Sequence, residues 1–260
     1  MNNAPRYGLI VAALSGWLCL QTEWGLPAVL SGVLYVGALC LALISISGSG
    51  RVLLTALFWL YFGGTYISSS VEGYAFGLLT LEKSAYVLAH GAVISFLVSL
   101  GLVWASGRMD ESDGSAIATE WRWGPAIAAA SAFCVSYLLA GTAIFPKVGS
   151  FYTNLQTPPL PALLPLQIAR GLVWVAILFP CLRRIESRGR AMLVLAVGAT
   201  TLGALAPLAA PNSLIPLKIR LWHILEMTGS HTAFGVFTAW VFVRPHRFHP
   251  TTTARPAISG

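Results

Sequence analysis

The sequence predicts an all-α, polytopic integral membrane protein whose eight transmembrane helices form two parallel four-helix repeats. Three observations carry that expectation. Charged residues make up 10% of the 260-residue chain against 56% apolar ones, and the mean hydropathy is +0.73. An average soluble domain carries roughly 25% charged residues, so this chain cannot cover a globule of its size with a solvated surface. Second, the apolar residues run on in stretches near the ~20 needed to cross a ~30 Å hydrocarbon layer, without the alternation of a membrane strand, which sets a β-barrel aside. Third, matched residues recur in the same order in the two halves of the chain. The composition excludes a soluble enzyme, a disordered chain and a nucleic-acid-binding domain.

The eight expected spans are 7–23, 26–47, 52–73, 84–105, 123–144, 161–182, 191–210 and 215–243. The first follows a single Arg6 and has no small-x-small cleavage site, so it reads as a retained helix and not a signal peptide. The four cysteines, Cys19, Cys40, Cys134 and Cys181, lie within or at the ends of apolar segments with no C-x-x-C. They read as small apolar filler.

Orientation follows from the basic residues. One set of connections and ends holds Arg6, Arg51, Arg108, Arg122, Arg183, Arg184, Arg188, Arg190, Arg244, Arg247 and Arg255; the other holds only Lys83, Lys147, Lys218 and Arg220. By the positive-inside rule both termini are expected in the cytoplasm, in a plasma (inner) membrane, and an even span count agrees. The net charge of +7 is therefore a topological signal and not a nucleic-acid footprint. The loop from Gly107 to Trp121, with Asp110, Glu111, Asp113 and Glu120, reads as a solvated linker. The longest outer loop is expected from Pro146 to Leu160, where it would roof a site.

The duplication is read from four ordered matches. Arg6 to Ser15 aligns without gaps on Arg122 to Ser131, sharing Arg, Gly, two Ala and Ser. Leu26-Pro-Ala falls on Leu160-Pro-Ala and Gly37 on Gly171. The third spans open on Gly50-Arg51 and Gly189-Arg190. The fourth close on Trp104 and Arg108, and on Trp240 and Arg244, at equal spacing. Four spans per copy give both copies one orientation, hence parallel repeats about an axis along the membrane normal. The expected division is a first repeat over 1–108, a linker over 109–121, a second repeat over 122–244 and a cytoplasmic tail over 245–260.

Charged groups inside a span are costly and mark function. Counting up from the cytoplasmic arginines at ~1.5 Å per residue, His90 and Glu226 each stand ~27 Å above their anchor, Gln167 ~24 Å, Arg170 ~20 Å, and Glu72 and His223 ~31 Å. They form one layer in the outer half of the membrane. His223, Glu226 and Ser230, at i, i+3 and i+7, share a helix face, as do Gln167, Arg170 and Trp174. The alignment sets Glu226 opposite His90, so the two would converge if the fourth and eighth spans flanked the axis. The expected pocket has Glu226, His223 and His90 as acid–base groups and Arg170, Gln167, Glu72 and Arg220 as substrate-binding groups, with Arg170 coupled to Glu226. Each has a plainer reading beside it. Lys218 and Arg220 are interface anchors that snorkel, Glu72 sits at the water boundary, Arg170 and Glu226 form a structural ion pair, and His231 packs. His246 and His249 lie in the tail and are assigned nothing.

No H-E-x-x-H, carboxylate E-x-x-H pair, G-x-S-x-G or phosphate loop is present, and no metal or other cofactor is assigned. The expected function is binding or modifying a lipid-like or anionic amphipathic substrate. Two alternatives stay open: a quinone-binding anchor subunit of a redox complex, and a small-solute or lipid transporter. Expected partners are a membrane lipid or quinone-like ligand, no nucleic acid, and a second copy or other subunits of a complex.

Overall fold

The computed structural model describes residues 26–109, 119–152, 159–210 and 215–243. The expected first span, the tail and most of the linker lie outside the described residues. Among the described residues every regular element is a helix: α1 (Leu26–Ser45), α2 (Gly50–Ala75), α3 (Leu81–Ser106), α4 (Trp123–Tyr152), α5 (Leu160–Leu182), α6 (Arg188–Ala209) and α7 (Leu217–Phe242). The first six are long and apolar enough to cross a membrane. At 26 residues α7 is as long, but Lys218, Arg220, His223, Glu226, Ser230 and His231 along it make it more polar, and it falls outside that set.

The helix ends follow from local chemistry. Thr80 caps α3 by accepting the Lys83 N–H at 3.2 Å, and Ser187 caps α6 by accepting the Arg190 N–H at 3.3 Å; both satisfy orphan first-turn donors. Gly107 ends α3 at φ 73°, a left-handed conformation that glycine adopts without strain. Arginines close other ends. The Arg108 guanidinium donates to the Leu43 and Ile46 carbonyls at 2.9 and 3.2 Å. Arg122 and Arg188 donate to Phe242 and Val243 at 3.1 and 2.7 Å.

One boundary differs from the sequence expectation. Pro146 lies inside α4, which runs on to Tyr152, so the segment expected to be loop is helical for two more turns. Proline removes one N–H and leaves the carbonyl four residues back without its partner. Here that carbonyl belongs to Thr142, on an exposed turn, and the helix continues past it.

The packing pairs helices across the two halves. Helix α1 lies against α6, and α2 against α5, while α3 packs on α2 and α7 on α4 and α6. Helices α2 and α6 meet at two short π-helical segments, Phe62–Ile67 and Thr201–Leu205. Each begins twelve residues beyond a Gly-Arg pair, Gly50-Arg51 in α2 and Gly189-Arg190 in α6. A π turn inserts a residue into the hydrogen-bond ladder and frees carbonyls, which need donors in a low-dielectric interior. Neighbouring hydroxyls supply them: Thr65 Oγ1 donates to the Leu202 carbonyl at 3.1 Å, and Ser31 Oγ to that of Ala206 at 2.7 Å.

Close approach of α6 and α7 depends on Gly235, where a Cβ would stand 2.6 Å from the Ala196 backbone. Small residues at such crossings let backbones pack directly, which drives helix association in lipid. Gly235→Ala is therefore expected to lower the melting temperature of the detergent-purified protein by roughly 5 °C, the effect of an overpacked core. Gly229→Ala, where a Cβ meets nothing within 4 Å, should leave it unchanged or higher. Equal responses would mean that the α6–α7 crossing is looser than described.

Candidate functional site

The site is built where α2 docks on α5. After the π segment, Ser68 and Glu72 follow one another on one face of α2 at i and i+4, and Arg170 and Trp174 do the same on α5. The two faces join by side-chain bonds one turn apart. The Trp174 indole N–H donates to Ser68 Oγ at 3.1 Å, and Arg170 donates through Nη2 to Glu72 Oε2 at 2.9 Å. Through Nη1, Arg170 also donates to Gln167 Oε1 at 2.8 Å. Its guanidinium lies over the rings of Phe133 and Tyr137 on α4, at 5.7 and 5.4 Å from their centroids. The Arg170 side chain is 3% exposed and that of Glu72 27%. The pair thus has a buried cationic end and an anionic end that reaches the cavity beside it.

A second pair stands on α7. His223 Nδ1 and Glu226 Oε2 are 2.9 Å apart, with Glu226 buried and His223 nearly so. Glu226 faces Gly141 on α4, where a Cβ would lie 3.2 Å from its Oε1. Tyr137, one turn before Gly141, has the Arg170 guanidinium over its ring at 5.4 Å and lines the same cavity as Glu226. It borders both pairs, and together they make one polar unit.

Two cavities border this unit. The larger, about 370 Å³, is walled by Phe76, Leu138, Phe145 and Leu163 and has Tyr137, Thr142 and Glu226 as its polar members. The smaller, about 220 Å³, is lined by Ser69, Glu72, His223 and the apolar Phe151 and Met227. Phe76 forms part of both walls. The helical extension of α4 past Pro146 supplies Val148 to one and Phe151 to the other, so a helix, and not the expected loop, covers the site.

The sequence-predicted residues are brought together in part. Gln167, Arg170 and Trp174 share a face, as do His223, Glu226 and Ser230. Arg170 bonds Glu72, however, and not Glu226, whose partner is His223. His90 lies on α3, stacked on Tyr86 with ring centroids 5.9 Å apart. Its helix packs on α1 and α2 while α7 packs on α4 and α6, so the convergence of His90 on Glu226 does not occur. Arg220 donates to the carbonyls of Ala210 and Leu208 at the end of α6, the position of an anchor. His231 is fully buried, with Nδ1 2.9 Å from the Met227 carbonyl, edge-on to Trp174 and Phe133. Among the described residues no three of His, Cys, Asp or Glu gather as a metal ion would need.

Tyr137, Gly141 and Phe76 are the site members that the sequence reading missed. Phe133, Tyr137 and Gly141 recur every fourth residue on α4, which places them on one face, but nothing in an aromatic–aromatic–glycine row distinguishes it from ordinary packing. No protein-family model, curated protein or solved structure matches the chain.

The unequal burial of the Glu72–Arg170 pair makes a prediction. Glu72→Ala leaves a guanidinium in the interior without its anion, a change that costs about 3–5 kcal/mol when a buried pair is broken. Arg170→Met leaves a carboxylate that still reaches the cavity and should cost less. Thermal melts in one detergent are expected to rank the variants wild type, Arg170→Met, Glu72→Ala in falling order. The reverse order would contradict the pairing described.

Proposed function

We propose that the protein is an eight-span integral membrane protein of the inner membrane, with both termini cytoplasmic, that binds and chemically modifies a lipid-like substrate in the extracytoplasmic half of the bilayer. The observation that carries this reading is the position of the His223–Glu226 pair between two mostly apolar cavities, with Glu226 lining the first and His223 the second. Ligand sites are mostly apolar concavities with a few convergent polar groups. The larger cavity suits an acyl or isoprenoid segment, which leaves the reacting head at the carboxylate–imidazole pair.

In that arrangement Glu226 accepts the Nδ1–H of a neutral His223, fixing the tautomer and leaving Nε2 to take a proton from a hydroxyl or water in the smaller cavity. The carboxylate then stabilises the imidazolium that forms. Tyr137 stands beside both pairs, under the Arg170 guanidinium and in the wall that Glu226 lines. Arg170 is already committed to Glu72 and Gln167, so an anionic head would have to displace Glu72. This favours a head that hydrogen-bonds over one that must be neutralised. A quinone ring fits the same cavity and would exchange protons with the same pair; it is the alternative that the experiment below separates.

The repeat reading draws support from the packing. The π segments fall at matching distances from Gly50-Arg51 and Gly189-Arg190, and α1 against α6 mirrors α5 against α2. Such an exchange is what a two-fold axis between α2 and α6 would produce. The axis then passes between the third and seventh spans, and the fourth and eighth lie farther from it. The acid–base pair and its arginine belong to one copy, with Glu72 reaching in from the other.

The test is extraction of the purified protein and analysis of the co-purifying amphiphile by mass spectrometry, with Gly141→Leu and Glu226→Gln beside the wild type. Gly141→Leu fills the cavity at Glu226 and is expected to lower retained amphiphile at least about tenfold, 1.4 kcal/mol or more of binding. Glu226→Gln is expected to keep the ligand and lower turnover of that amphiphile by about 10²–10⁴, the usual contribution of a general base. A retained isoprenoid quinone would assign the alternative. Retention indifferent to Gly141→Leu would contradict the site.

A further inference from the structure

A third pocket opens at the far end of α2 and α5. Because α2 and α5 dock antiparallel, the contact that joins Glu72 to Arg170 also brings the start of α2 to the end of α5. Arg51 stands in the first turn of α2, about 31 Å along the helix from Glu72, and Arg183 and Arg184 follow directly on α5. A cavity of about 220 Å³ lies among them, lined by Arg51, Val52, Thr55, Pro180, Arg183 and Arg184.

Among the described residues nothing neutralises the charge in this pocket. The Arg183 guanidinium lies over the Phe179 ring at 5.8 Å. None of the three arginine side chains forms an ion pair or hydrogen bond with a described residue. Glu186, the nearest carboxylate along the chain, is within 3.4 Å of the Ser47 hydroxyl that donates to it. Three cations around one concavity repel each other, most strongly where the walls exclude water. Guanidinium groups from two helices are also the donors that hold a phosphate by paired hydrogen bonds.

The surface leading out of the pocket is apolar. On α2, Thr55 and Trp59 continue the face of Val52 at i+3 and i+7, and Trp59 is 40% exposed. On α5, Val173 lies seven residues before Pro180 and is 38% exposed. Both faces run from the arginines toward the middle of the helices. A free phosphate would use only the pocket, whereas a phospholipid would use the pocket and both faces.

We propose that this pocket binds the phosphate headgroup of an anionic phospholipid, with its acyl chains lying along the Trp59 and Val173 faces. Basic pockets between membrane helices bind headgroups in this way. The inference rests on the membrane-spanning character of the helices and is independent of the acid–base site.

The test is native mass spectrometry of delipidated protein returned to mixed phosphatidylglycerol and phosphatidylcholine nanodiscs. Wild type is expected to retain phosphatidylglycerol selectively. The Arg51→Gln/Arg183→Gln/Arg184→Gln triple variant should lose at least about tenfold of that retention. Arg190→Gln, a change to an exposed arginine at the same end but outside the pocket, should lose none. The corresponding triple Lys variant keeps the charges that set topology but not the bidentate fork, so it should fold and show an intermediate loss even if the Gln variant does not fold. Equal retention in wild type and both triple variants would overturn the proposal. So would displacement of the lipid by millimolar inorganic phosphate, which would make free phosphate the ligand. Binding that appears only after Asp110, Glu111 and Asp113 are neutralised would show the chain's own acids in the pocket, and would overturn it equally.

Discussion

The arrangement depends on one requirement, that the Arg170 guanidinium be satisfied inside a bundle with little water. Guanidinium groups stay protonated in proteins, so the charge cannot be relieved by titration and must be met by geometry. Glu72 supplies the anion, Gln167 an amide oxygen, and Phe133 and Tyr137 their ring faces. The Trp174–Ser68 bond one turn away repeats the contact. Together they fix the register of α2 on α5, since a shift of either helix by a turn would strand the arginine.

The π segment in α2 lies directly before the turn that carries this contact. The turns before it pack on α3 and α5, and Ser68 and Glu72 after it keep to the α5 side through their bonds to Trp174 and Arg170. The cost of the freed carbonyl in α6 is offset by the Thr65 hydroxyl, and Gly64 and Gly203 give the space for Trp174 between the two π segments. The packing constraint and the chemical site are therefore one structure. The turn that admits Glu72 to the interior also opens the smaller cavity toward His223.

The sequence carried the helical, membrane-spanning character and the faces within single helices, because both follow from composition and from 3.6-residue periodicity. The i, i+3, i+7 sets on α5 and α7 are present as read. Partner choice between helices was not legible. Glu226 and Glu72 are both carboxylates at similar depth, and which of them reaches Arg170 depends on how α2 and α7 pack against α5, which a hydrophobic pattern does not record. His90 was drawn toward Glu226 by assuming which helices flank the axis, a question of tertiary packing that alignment of the halves does not answer. The stretch from Pro146 is expected to be loop, and α4 instead runs through the proline to Tyr152, because the carbonyl it leaves unpaired lies on an exposed turn. Tyr137 gave no signal, since its role comes from three charges on three other helices.

The central claim is that Arg170 is held by Glu72 and not by Glu226. A pair of double-mutant cycles on folding free energy measures it directly, one on Arg170→Gln with Glu72→Gln and the other on Arg170→Gln with Glu226→Gln. Contacting residues in one network couple by about 0.5–3 kcal/mol, and separated ones are additive within about 0.5 kcal/mol. The account predicts coupling above about 1 kcal/mol in the first cycle and clearly less in the second. Additivity in the first cycle with strong coupling in the second would contradict it.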